Sequence, residues 1–444
     1  MSFPRYECYK DSGIEWLGEV PEHWDIRRLK YNLRLLTEKT DRRENPVALE
    51  NIESWSGLFI QTETTFEGEG IAFERGDILF GKLRPYLAKA YLAETSGEAV
   101  GDFHVMRPTK NTVGRFAQYQ ILNREFIAIV DGSTFGAKMP RASWDFMGGM
   151  VLTVPPITEQ QTIGAFLDRE TAKIDALIDE QKRLIELLKE KRQAVISHAV
   201  TKGLNPDAPM KDSGIEWLGK VPEHWDVLSI GKVTIDKCDG PFGSGLKSEH
   251  YTDAGVRVIR LQNIRQSGFD DTDAAFINEN YYREKLNGHD VRQGDVLIAG
   301  LGDDRNTVGR ACVAPDGIEP AMVKADCFRF RVLIERAQPE FVAMQLSAGS
   351  SFDAGKLSSG STRSRIPLSV MTSRKIALPS PSEQQAIVCF LQGESIKFDA
   401  LTTEAQTAIA LLQERRAALI SAAVTGKIDV RGLAAIQPEM ESAA

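Results

Sequence analysis

Apolar positions recur at alternating spacings of four and three along two stretches of the chain. One runs through Ile163, Leu167, Ile174, Leu177, Leu184, Leu188 and Val195, the other through Ile387, Leu391, Phe398, Leu401, Leu412 and Leu419. That period predicts two long helices, each with a coiled-coil seam. Each stretch opens with proline and then a hydroxyl residue three positions before a glutamine, Thr158 with Gln161 and Ser382 with Gln385, which reads as a capping box. Gly203 and Gly426 supply stops. The first helix is thus expected over Glu159 to Val200, roughly 60 Å at about 1.5 Å per residue. Two such helices bury their seams against each other, antiparallel, or against a partner's helices. Ordinary core helices of two globular domains are the alternative, disfavoured because the periodic run exceeds typical helix length. Glu170, Gln181 and Lys191 interrupt the seam and suit either partner contacts or solvated ends.

The two stretches are copies. Pro155 to Thr201 matches Pro379 to Thr425 at 24 of 47 positions, an offset of 224. A shorter box repeats more tightly: Lys10 to Ile26 and Lys211 to Val227 share 15 of 17 positions at an offset of 201. The offsets differ by 23, and all of that difference falls in the variable segments 27–152 and 228–376. The chain therefore reads as box 1–26, variable segment 27–152, long helix 153–210, box 211–227, variable segment 228–376, long helix 377–433 and a tail 434–444 expected to be disordered.

Within the variable segments, Gly76-Asp-Ile-Leu-Phe-Gly and Gly294-Asp-Val-Leu-Ile-Ala-Gly300 read as Gly-Asp turns leading into buried strands. In the first, Lys82, Arg84, Tyr86 and Lys89 alternate with apolar residues, which places cations on one strand face, for DNA or simply for solvent. The second opens with Asp239-Gly-Pro-Phe-Gly-Ser244-Gly-Leu-Lys247, which is not a phosphate-binding P-loop because Leu246 stands where that motif needs lysine. It is a backbone-amide loop for DNA phosphate or a plain glycine turn, and Ser244 and Lys247 are its candidate contacts. Arg260, Gln262 and Asn263 sit on a strand-like stretch with side chains suited to base edges. Near the end of each segment lies a basic loop of small residues, carrying Lys138 and Arg141 in one and Thr362, Arg363 and Arg365 in the other. Arg141 and Arg365 match at the 224 offset, which suits two readers of different sequences or a shared structural salt bridge.

Length and charge refine this picture. At 444 residues several domains are expected. No apolar run approaches the roughly 20 residues of a membrane span, and the opening residues lack a secretory pattern, so a cytoplasmic location is expected. Five cysteines without a C-x-x-C pair suit isolated reduced thiols and give no metal site. The net charge of −8 argues against a nucleic-acid binder. Each variable segment, however, is +1, and the remaining −10 lies in the boxes, helices and tails. Clustered patches, with neutralisation shared by partners, answer the objection.

No G-x-x-x-x-G-K-[ST] loop and no N-P-P-Y type tetrad occurs, so no catalytic residues are assigned. His23 and His224 recur in the box beside Pro-Glu and Trp, which suits a structural or docking role rather than a general base. Trp16, Trp24, Trp217 and Trp225 either anchor the boxes on the helix ends or also form an aromatic docking site for a partner.

Taken together, the proline-led Glu-Gln-Gln entries, the G-D-I-L-F-G-K-L-R-P-Y run, D-G-P-F-G-S-G-L-K-S and the duplicated W-L-G-x-V-P-E-H-W box are specific. Over nearly its whole length the chain resembles the specificity subunits of type I restriction-modification enzymes. The resemblance implies an α+β chain: two globular α/β target-recognition domains separated by two long antiparallel coiled-coil helices, related by a pseudo-twofold internal repeat. It implies that each domain reads half of a bipartite, asymmetric site in double-stranded DNA. It also implies docking of two methyltransferase subunits and of motor-nuclease subunits, which would use S-adenosylmethionine, ATP and Mg while this chain needs no cofactor. Half-sites about one helical turn apart, around 10 base pairs, are expected. A coiled-coil scaffold that binds protein without DNA specificity is the competing expectation.

Overall fold

The computed structural model describes residues 3–41, 45–62, 68–134, 139–241, 245–303, 306–353 and 364–433. The expected tail 434–444 lies outside the described residues. The chain divides into two compact units, 1–183 with 405–444, and 184–404.

In the first unit the box folds as strands Tyr9–Asp11 and Glu19–Pro21, paired antiparallel. Asp11 Oδ1 accepts from Gly13 N at 2.9 Å and closes the turn between them. The next strand, Asp25–Arg28, pairs with Val151–Val154, so that Arg27 and Leu152, the two ends of the first variable segment, face each other. Between them stands a four-stranded sheet in the order Leu33–Leu36, Phe103–Pro108, Ile78–Gly81, Ala90–Leu92. A second sheet is ordered Lys39–Thr40, Gly70–Phe73, Gly97–Val100, Pro46–Val47.

The strand Ile78–Gly81 is buried at every position, as a continuous apolar run predicts. Ile78 and Phe80 enter a core with Phe126 and Ile127 of helix Arg124–Gly132, while Leu79 enters a separate core with Val47 and Phe73 of the second sheet. Period-two alternation thus feeds two cores from one strand.

The second unit repeats this plan. Strands Met210–Asp212 and Lys220–Pro222 rebuild the box, and Asp226–Ser229 pairs with Lys375–Leu378, placing Leu228 opposite Ile376. The main sheet runs Thr234–Asp239, Cys327–Val332, Val296–Ala299, Ala311–Val313. Val296 and Ile298 face one core and Leu297 and Ala299 another. The helix Pro339–Asp353 covers this sheet.

The long helices span Ile157–Lys202 and Pro381–Val424, a little beyond the expected bounds. Gly203 and Gly426 follow them with φ of +77° and +76°, the left-handed conformation that ends helices. The capping differs from the expected box. Thr158 and Ser382 lie inside their helices; Ser380 Oγ, two residues before Ser382, accepts from Glu383 N at 3.3 Å.

The seam also differs in detail. One row of buried or half-buried positions along the first helix runs through Leu167, Thr171, Ile174, Ile178, Gln181, Ile185, Leu188, Arg192, Val195 and Ala199, a strict alternation of four and three. Their counterparts at +224, Leu391 to Ala423, keep the same spacing. Leu177, Leu184 and Leu401, expected on the seam, are 51%, 41% and 47% exposed. Gln181 is on the seam as expected, whereas Lys191 is exposed. In the first unit residues 163–178 pack against 409–424 in one core, and in the second residues 195–200 pack against 387–391. Early turns of one helix therefore meet late turns of the other within each unit, which is antiparallel packing. No helix among the described residues is long and apolar enough to cross a membrane.

Candidate nucleic-acid interface

Each variable domain is built on a buried aspartate. Gly76 and Gly294 adopt φ of +92° and +82° to turn the chain, and the next residue, Asp77 or Asp295, is 1–2% exposed. Asp77 accepts from Arg107 Nε and Nη2, both at 2.8 Å, and Asp295 from Arg331 at 2.9 and 2.8 Å. Each carboxylate also accepts a backbone N–H across its turn at 2.8 Å, from Glu74 or Arg292. These bidentate pairs lock the start of the strand that delivers the candidate site.

At the far end of that strand the two domains share a backbone frame. Lys82 N donates to Asp102 O and Ala142 N to Lys82 O; Gly300 N donates to Asp326 O and Ile366 N to Gly300 O, all at 2.8 Å. Leu83 bridges Arg141 as Leu301 bridges Arg365. On this frame Arg141 Nη2 meets Asp102 Oδ2 at 2.9 Å and Arg365 Nε meets Asp326 Oδ1 at 2.7 Å. The arginines are 54% and 52% exposed and the aspartates 22% and 23%. The matched arginine is thus salt-bridged in both domains, and about half of each arginine side chain stays open to solvent.

Around the pair the side chains differ. Lys82 Nζ lies 3.6 Å from Asp102, and Arg84 is exposed with no ion pair among the described residues. Gly300 and Gly302 occupy the corresponding places in the second domain. The expected strand carrying Lys82, Arg84, Tyr86 and Lys89 on one face is not formed. The strand ends at Gly81; Arg84 takes φ +52°, and Pro85–Leu87 is a 3-10 turn. Pro85 cannot donate to a ladder, so the run folds back. Tyr86 is 46% exposed on that turn. Lys89 points elsewhere: its Nζ donates to Leu49 O at 2.6 Å, and burial lowers its pKa.

In the second domain Arg260, Gln262 and Asn263 lie on a capped 3-10 turn, Leu261–Asn263, not within a strand. Asn263 is fully buried and spent on the turn: Oδ1 accepts from Arg260 N at 2.9 Å, and Nδ2 donates to Asp270 O at 2.9 Å and Asp273 O at 3.1 Å. Arg260 Nη2 meets Asp273 Oδ1 at 2.6 Å, and the exposed Gln262 donates to the other Asp273 oxygen. Gln262, Arg265 and Arg310 line a cleft of about 430 Å³ together with Leu301 and Gly302, on the strand that pairs with Arg365. The fold therefore joins the Gln262 turn to the Arg365 frame. Lys247, 56% exposed, sits 3.8 Å from Glu249. Lys138, Ser244, Thr362 and Arg363 lie outside the described residues.

Sequence reading missed a counterpart of this turn. Ala48-Leu-Glu50-Asn51-Ile52 matches Arg260-Leu-Gln262-Asn263-Ile264 at an offset of 212. Asn51 is 3% exposed; its Oδ1 accepts from Ala48 N at 2.9 Å and its Nδ2 donates to Ile60 O at 3.1 Å. The signal was three identities at an offset belonging to neither long repeat.

The boxes dock on the helix starts. His23 Nε2 lies 2.8 Å from Glu159 Oε2, and His224 Nε2 lies 2.8 Å from Glu383 Oε2. Trp225 Nε1 donates to Glu383 Oε1 at 3.1 Å. In the first unit Tyr6 takes that acceptor, its hydroxyl donating to Glu159 Oε1 at 2.5 Å, and Trp24 Nε1 has no partner among the described residues. Burial, first, and the Glu159 contact push the Tyr6 pKa up. Trp24 and Trp225 are fully buried, which makes them core anchors. Trp16 and Trp217 are half-buried, Trp217 with the Arg374 guanidinium 5.2 Å from its ring centre. Among the described residues no group of three or more His, Cys, Asp or Glu could hold a metal ion.

No family model matches the chain. It is 23% identical over 462 aligned residues to the type I restriction enzyme MjaVIII specificity subunit of Methanocaldococcus jannaschii, covering 98% of this chain and 99% of that protein. It is 22% identical over 331 residues to the type I restriction enzyme EcoKI specificity subunit of Escherichia coli, covering 73% and 68%. The similarity to proteins named as type I restriction enzyme specificity subunits thus runs over nearly the whole chain. A chain from a solved type I R-M system shares its fold, with a TM-score of 0.64 at 18% identity over 91% of this chain and 98% of that one.

Proposed function

We propose that this chain selects the DNA sequence on which a type I restriction-modification complex acts, each variable domain reading one half of a bipartite site. The observation that carries the reading is the shared frame around Arg141–Asp102 and Arg365–Asp326, dressed with Lys82 and Arg84 in one domain and glycines in the other. A half-exposed arginine fixed by a carboxylate is suited to bidentate contact with guanine or phosphate. Different neighbours on one frame give two readers different preferences. Methyl transfer, ATP-driven motion and cleavage belong to methyltransferase and motor-nuclease subunits, which bring S-adenosylmethionine, ATP and Mg. The boxes and long helices supply their docking surface, and the complex acts in the cytoplasm.

The test is single-molecule sequencing of DNA methylated by the chain together with its methyltransferase subunits. One bipartite motif is the expected result. Unchanged gel mobility of every DNA fragment in the presence of the methyltransferase would leave a protein-binding scaffold instead.

A further inference from the structure

The turns at Leu49–Asn51 and Leu261–Asn263 are the same device in both domains. Each is a 3-10 turn whose third residue, a buried asparagine, accepts from the backbone N–H preceding the turn and donates to carbonyls of the returning chain. A fully bonded buried amide fixes the backbone around it. The middle residue of each turn is exposed, and here the two copies differ: Glu50 in the first, Gln262 in the second. Gln262 lines the cleft bordered by Leu301 and Gly302. By the matched bridges, Leu83 and Arg84 hold the same places in the first domain.

We infer that Glu50 and Gln262 are the base-specifying residues of the two turns, Glu50 for cytosine and Gln262 for adenine. The inference rests on the DNA-reading function proposed above. A primary amide matches adenine in the major groove, donating to N7 and accepting from N6, while a carboxylate can only accept and matches the N4 amine of cytosine. An acid on a DNA-facing surface repels phosphate, so its place on a rigid turn is explained by a donor on a base edge. Asp273 receives an N–H from both Arg260 and Gln262 and so holds the amide in a fixed plane before DNA arrives.

The experiment maps methylated motifs made by the complex carrying the wild-type chain, Glu50→Gln or Gln262→Glu. Both residues are exposed, and the swaps keep shape. Glu50→Gln is expected to change one cytosine position in one half-site toward adenine, with about a tenfold or greater loss on the original base. Gln262→Glu is expected to do the reverse in the other half-site. Should a variant fail to methylate, the same complex is used to select binders from random duplexes, reading the same positions. An unchanged motif, changes in both half-sites from one swap, or loss of all selection overturns the assignment. Absence of any motif from the wild-type complex would instead count against the DNA-reading function itself.

Discussion

Arg416 Nε donates to Asp175 Oδ1 at 2.9 Å, and the same two positions with the helices exchanged, Arg192 and Asp399, meet at 2.6 Å. The first pair is better buried: Arg416 is 12% exposed and also donates to Trp55 O, whereas Arg192 is 31% exposed against an Asp399 that is 64% exposed. Arg416→Ala should therefore lower stability more than Arg192→Ala. The exposed pair is worth about 1 kcal/mol or less. Thermal melts of the two variants in one buffer give the order, and equal midpoints would contradict it.

The Asp77–Arg107 and Asp295–Arg331 pairs should be the costlier ones to break. Asp295→Ala removes the bidentate partner of Arg331, which keeps Asp290 at 3.3 Å, and frees the Arg292 N–H, a loss of about 1–3 kcal/mol. Glu50→Gln in the same assay should stay within about 0.5 kcal/mol of wild type. Denaturant unfolding measures both.

Asp239 gives a pH signature. Burial pushes its pKa from the usual carboxylate value up to about 6. A raised folded-state value means that the neutral acid is the form the fold prefers. Its contribution is fully present below about pH 4, the unfolded value, and is lost as pH rises through 6. Asp239→Asn, which keeps an acceptor for Gly240 N, should match wild type near pH 4 and gain on it between pH 4 and 7. A stability difference that is flat in pH would contradict this.

Arg141 and Arg365 separate DNA contact from folding. Their ion pairs are half-exposed, so alanine should leave the melt nearly unchanged. In the assembled complex each substitution should cost about 1–3 kcal/mol of binding with one base relaxed, or weaken all sequences with a flatter salt slope if the contact is to phosphate. Titration at several salt concentrations distinguishes the two, and wild-type affinity in both variants would overturn the assignment.

The thiols offer a check on packing. Burial raises the pKa of Cys312 to about 12 and that of Cys327 further, while Cys8 and Cys389 are exposed. A thiol reagent near pH 8 should label Cys8 and Cys389 quickly and the buried pair only on unfolding.

The long helices were legible because a heptad repeat survives many substitutions. Their register was only partly so, since the leucines at 177, 184 and 401 attracted the seam away from Thr171, Ile178 and Arg192. Polar residues that find partners across a helix pair look like interruptions in a linear reading. The cationic run after Gly81 kept a strand's alternation, but Pro85 folds it into a turn, and only three-dimensional structure showed Lys89 satisfied inside. The paired turns at Asn51 and Asn263 were hidden by insertions that step the offset from 201 through 212 to 224. Which exposed side chains meet DNA depends on a partner surface that the chain alone does not contain.

Arg27 faces Leu152, and Leu228 faces Ile376. Chain therefore enters and leaves each variable domain on neighbouring antiparallel strands, through a gate about 5 Å wide. What happens beyond that gate, including 23 extra residues in one copy, leaves the geometry at the gate unaltered. Each domain in this sense sits in a socket of fixed width, and the nearly identical boxes beside the two sockets keep their mouths alike while the sequence beyond them differs.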